Sequence, residues 1–86
     1  MITKTQAESI SYRDEIYSLK SSDSRGNPHR VRVNGKLKTW KRDTERWELP
    51  VKFGLRDAFT LSPYNAADFT LDLEEAQAAA IERKRS

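Results

Sequence analysis

His29-Arg30-Val31-Arg32-Val33-Asn34-Gly35-Lys36-Leu37-Lys38-Thr39-Trp40 is the stretch on which the fold turns. Apolar and charged residues alternate on both sides of Asn34-Gly35, a dipeptide suited to tight turns because both residues tolerate positive φ. The pattern predicts a β-hairpin whose register decides which side chains share a face. A two-residue loop would set Val33 against Lys36 and mix apolar with charged groups. A three-residue loop of Val33-Asn34-Gly35, with Gly35 in the left-handed bulge position, sets Arg32 against Lys36, Val31 against Leu37 and Arg30 against Lys38. That register separates the faces and is the one expected. It stacks like charges across strands, which is mildly destabilising unless an anion lies over them.

Downstream, Lys41 to Arg46 is polar and reads as a turn. Trp47, Leu49, Val51, Phe53 and Leu55 then occupy every second position, the mark of a strand with one face buried. Pro50 lies within it and cannot donate to a ladder, which calls for an edge strand or a bulge. Ala58 to Leu61 predicts a short further strand. Ser62-Pro63 opens a short turn through Asp68. Asp72-Leu73-Glu74-Glu75 fits a capping box, starting a helix that runs to about Arg85 with acids at its start and Arg83, Lys84 and Arg85 at its end.

Upstream, Tyr12, Ile16 and Leu19 fall at helical spacing, which predicts a helix over residues 5–20. Ser21 to Pro28 reads as a linker. Residues 1–28 are therefore expected to be a helix or arm with its linker, and 29–86 the hairpin-centred domain. The fold class is α+β, with an antiparallel sheet of three to four strands, a C-terminal helix and an N-terminal helix. The predicted core is Val31, Leu37, Trp47, Leu49, Val51, Phe53, Leu55, Phe59, Leu61, Phe69 and Leu73. A core this thin makes dimerisation through an edge strand or the last helix a secondary expectation.

Composition excludes several functions. The 86 residues contain no cysteine, so disulfides, thiolate metal sites and thiol nucleophiles are ruled out. No apolar run reaches the roughly 20 residues that span a bilayer, and no signal-peptide pattern is present. A cytoplasmic setting without membrane contact is expected. Hydrophobic residues make up 36% and charged residues 34%, and charge is uneven along the chain. Residues 1–27 balance, 28–57 carry nine cations against four acids, and 58–86 carry three cations against five acids. A negatively charged partner would be drawn to the middle.

The candidate site is Arg30, Arg32, Lys36, Lys38, Lys41 and Arg42, six cations with no acid among residues 29–42. Alternating cations on a ribbon can meet successive phosphates while the other face stays on the core, with binding that weakens steeply in salt. Trp40, on the same face in the expected register, would stack on an unpaired base. The competing reading is a solvated outer face that discourages edge aggregation. Nucleic acid is thus the expected partner, with an acidic protein as the alternative. His29 is the one histidine; a metal site would need further ligands, and catalysis would need a deep pocket with a second polar group. No phosphate-binding loop or nucleophile elbow is present. No enzymatic activity, cofactor or metal is expected.

The segments Arg32 to Arg42 and Pro50-Val51-Lys52-Phe53-Gly54-Leu55 resemble small uncharacterised proteins of bacteriophages and prokaryotes. The resemblance implies a phage or bacterial cytoplasmic setting and assigns no residue a role.

Overall fold

A computed structural model describes residues 1–55 and 57–85. The elements run α1 (Lys4–Ser9), β1 (Glu15–Ser22), β2 (Pro28–Val33), β3 (Lys38–Thr39), β4 (Trp47–Phe53), β5 (Asp57–Leu61), a 3-10 turn (Ala66–Asp68), β6 (Phe69–Thr70) and α2 (Leu73–Arg85). All strand pairings are antiparallel. The α+β class holds, with a C-terminal helix and a short N-terminal one. The sheet has six strands among the described residues, more than expected because β1 and β6 join it.

The N-terminal helix stops at Ser9 rather than continuing to residue 20. Thr3 caps it reciprocally: its hydroxyl accepts from Gln6 N–H, and Gln6 Oε1 accepts from Thr3 N–H. Beyond it, Asp14 Oδ2 accepts from Ser11 N–H, and Arg13 takes φ 73°. Such a kink favours a turn over helix. Arg13 N–H donates to Val33 O, and Val33 N–H to Asp14 O, so the chain enters β1 already paired. In β1 the period is two: Ile16 and Ser18 are buried, with Glu15, Tyr17 and Leu19 on the other side. The first 28 residues are thus part of the domain and not an arm, since β1 lies between β2 and β6 and Ile2, Ala7 and Ile16 sit in the core.

The expected hairpin at Asn34-Gly35 does not form. Its loop geometry occurs instead at Ser24-Arg25-Gly26, which joins β1 to β2. Gly26 N–H donates to Asp23 O, Asp23 N–H to Asn27 O, and Gly26 takes φ 86°, a left-handed position that glycine fills without strain. Asp23 Oδ1 also accepts from Arg25 and Asn27 N–H. The stretch read as a linker is therefore a tight, side-chain-braced turn.

β2 and β3 both run against β4. Val33 pairs with Val51 and Lys38 with Glu48, so Asn34 to Lys36 and Leu37 stand against only Leu49 and Pro50. Pro50 explains the bulge: it has no N–H to donate, while its carbonyl accepts from Asn34 N–H. The proline lies in a central strand, beside a bulge in its neighbour. β4 and β5 form a true hairpin from Leu49↔Leu61 to Phe53↔Asp57.

One sheet face holds Ile16, Val31, Val33, Trp47, Leu49, Val51 and Leu61, closed by Ile2, Ala7 and Ala66. Leu37, Phe59 and Phe69 are partly buried against them. Burial of each large side chain contributes about 1.5–3 kcal/mol before entropy. Three predicted core residues are exposed: Leu55 at 91%, Leu73 at 42% and Phe53 at 37%. Leu55 falls in the β4–β5 hairpin tip, where alternation no longer implies burial. Leu73 starts α2, whose buried residues are Ala76 and Ala80. On the other sheet face, α2 packs across β1 and β6, and its alanines allow a close approach.

Candidate functional sites

The face opposite the main core is shared between α2 and a group of cations. Glu15 pairs with Arg32, and Arg32 with Lys52, so the three side chains form a row across β1, β2 and β4. Arg30, two residues along β2, emerges on the same side, as does Lys38 opposite Glu48. Both oxygens of Glu15 are used: Oε2 lies 3.1 Å from Arg30 Nη1 and Oε1 3.6 Å from Arg32 Nη2. Both arginines stay mostly exposed, so these contacts are worth little in stability, about 0–1 kcal/mol. They do orient the guanidiniums while leaving charge uncancelled. Arg30, Arg32 and Lys52 together with Gly54 and Leu55 line a shallow cleft around Glu15.

The remaining predicted residues are dispersed. Lys36 is exposed in the bulge, and Lys41 and Arg42 are exposed in the bend that follows β3. The expected cross-strand stacking of Arg32 on Lys36 and Arg30 on Lys38 is absent, because β2 and β3 are not partners. Arg30, Arg32 and Lys38 nevertheless share a side: each lies on the solvent face of a strand whose neighbours face the core. Trp40 is half-buried, with the Arg46 guanidinium carbon 4.0 Å from its ring centroid, and Arg46 reaches Glu48 at 3.8 Å. One face of the indole is thus covered by a cation rather than open to a base.

Two residues of this face were missed from sequence. Lys52 was legible, since alternation in β4 places it opposite Val51. Glu15 was hidden by the helical reading of residues 5–20.

A second site lies at the open end of the core face. Between Tyr17↔Arg30 and Ser22↔Pro28, Ser18 to Ser21 bulge against His29 alone. Ser18 supports the bulge with its hydroxyl, which accepts from Lys20 N–H, Ser21 N–H and Ser21 Oγ–H. Arg83 of α2 binds the carbonyl of Leu19 and the hydroxyl of Ser22, tying the helix to the same bulge. Ser21 is thereby placed with Oγ 3.0 Å from His29 Nδ1, and the imidazole meets Phe53 edge-on at 5.1 Å. Val31, Phe59 and Phe69 continue the lining of a cleft of about 330 Å³, with Asp57 at its exposed end. His29 therefore borders a cleft and a second polar group, but the cleft is open to solvent, with Ser21, Phe53 and Asp57 exposed at its edge, and is not the deep pocket that catalysis calls for.

Among the described residues, no group of His, Cys, Asp or Glu has the grouping to hold a metal, and no helix is long and apolar enough to cross a membrane. Comparison with known proteins finds no matching family model, no matching curated protein and no matching solved structure.

Proposed function

We propose that the protein is a non-enzymatic polyanion-binding domain that engages the phosphate backbone of nucleic acid through the solvent face of β2 and β4. The observation that carries this reading is the placement of Arg30, Arg32, Lys38 and Lys52 on one side, with Glu15 and Glu48 as the acids among them. Phosphate would lie over the Arg32–Lys52 pair, relieving a like-charge contact made inside the sheet. Contacts of this kind position a protein on nucleic acid with little sequence discrimination. The resemblance noted above is consistent with a phage or bacterial cytoplasm.

Fluorescence anisotropy with labelled single- and double-stranded oligonucleotides tests this. Affinity should fall steeply with salt, at a log–log slope of about 0.7–0.9 per phosphate contact. Replacing Arg30, Arg32 and Lys52 together by Ala should remove binding, whereas Glu15→Gln should strengthen it. Unchanged affinity in the triple variant sinks the assignment.

A second reading is docking on an acidic protein. Leu55, exposed beside the cationic cleft, favours it, because an apolar anchor next to charges suits a protein surface better than phosphate. Pull-down from nuclease-treated lysate separates the two: a protein partner survives nuclease and a nucleic-acid bridge does not.

A further inference from the structure

We infer that the cleft bounded by His29 and Phe53 is a binding site for a small, neutral, planar aromatic molecule carrying one O–H or N–H donor. The site is separate from the cationic face, since its residues point to the core side of the sheet. It is built rather than incidental, because β1, β2, β4, β5 and β6 each contribute to its lining.

Its depth follows from burial. Val31 and Ser18 are buried, Phe59, Phe69 and His29 are half-buried, and Phe53, Ser21 and Asp57 are at the surface. The interior therefore presents Val31, Ser18 and the two phenyl rings of Phe59 and Phe69, with the Phe53 ring at the rim. Phe59 and Phe69 lie 5.9 Å apart at 33°, and Phe53 meets the imidazole at 74°. Rings so disposed offer both faces and edges, the two surfaces against which another flat ring packs best. A volume of about 330 Å³ suits a ligand of one or two rings.

The polar groups cluster at the mouth and set the ligand's single polar requirement. Ser18 is buried, and its oxygen already accepts three hydrogen bonds from the bulge, so it accepts nothing from a ligand. Ser21 is shared between Ser18 and His29 Nδ1. This holds the imidazole in place and leaves Nε2 without a hydrogen bond among the described residues. The carboxylate of Asp57 opposes an anionic ligand and accepts from a donor. Phenols and indoles meet both conditions; aromatic acids do not.

NMR titration of the full chain with phenol, benzoate and cyclohexanol tests the inference, reading the aromatic resonances of Phe53, Phe59, Phe69 and His29. Phenol should give saturable shifts confined to those rings. Cyclohexanol should bind about fivefold more weakly, the factor that aromatic pairing adds beyond contact area, and benzoate more weakly still. Phe69→Leu should weaken phenol by a similar factor; should that variant fail to fold, His29→Leu at the cleft mouth serves the same purpose. Shifts that never saturate, or equal affinity for all three probes, overturn the site. So do shifts of the same resonances on protein concentration alone with a doubling of mass, which place a second chain in the cleft.

Discussion

Gly35 lies against the Pro50 ring, where a Cβ would stand 3.0 Å from the proline Cγ and 3.1 Å from its Cβ. The glycine is thus favoured by close approach to a neighbouring strand and not by the left-handed turn its sequence context implies. The contact locks the bulge between β2 and β3 to the one residue of β4 that lacks an N–H.

Gly35→Ala should cost about 1–3 kcal/mol, the range for forcing a methyl group into a packed site. The same change in a Pro50→Ala background should cost less, because the ring that it meets is gone. Urea denaturation of both single variants and the double variant measures this coupling. Additive free energies would show that the ring does not dictate the glycine.

Thr70 performs a capping function that sequence assigned to Asp72 and Glu75 alone. Asp72 Oδ1 accepts from Glu74 N–H as expected. Glu75, however, accepts from the Thr70 hydroxyl, which itself accepts from Asp72 N–H. The buried hydroxyl sits between the two halves of the capping box. Thr70→Val, nearly equal in shape, should destabilise the domain by about 1–2 kcal/mol. Urea unfolding followed by circular dichroism checks it; a change under a few tenths would remove Thr70 from the cap.

Asp23 should titrate below 3.8, its ordinary value. The Asn27 N–H bond to its carboxylate is the largest cause; desolvation opposes it, and the Arg25 N–H bond and the charges of His29 and Arg25 add to the lowering. A depressed carboxylate stabilises the fold above its unfolded pKa and loses that contribution as pH falls through the folded value. The turn should therefore loosen only below 3.8, with Arg25 and Asn27 amide shifts following the Asp23 carboxyl carbon. A midpoint at or above the ordinary value contradicts the account.

Sequence by itself determined the local features that short-range chemistry dictates. Trp47, Leu49 and Val51 alternate into the core, α2 starts after Asp72, and Pro50 coincides with a bulge. These depend on periodicity, capping and a missing donor, all of which act within a few residues. Cation positions along β2 and β4 were legible for the same reason.

Pairing was decided by the tertiary structure. Asn34-Gly35 is locally competent to turn, yet Val33 and Lys38 gain partners on β4 while β1 supplies the other edge of β2. A hairpin there would leave those edges unpaired. Ser24-Arg25-Gly26 turns instead because Asp23 braces it and because that turn brings Ile16 against Val31. Glu15 beside Arg30, and Ser21 beside His29, follow from that choice. Strand partners are selected by the ladder hydrogen bonds and apolar area that the whole sheet can satisfy together, and no window of sequence around one turn contains that sum.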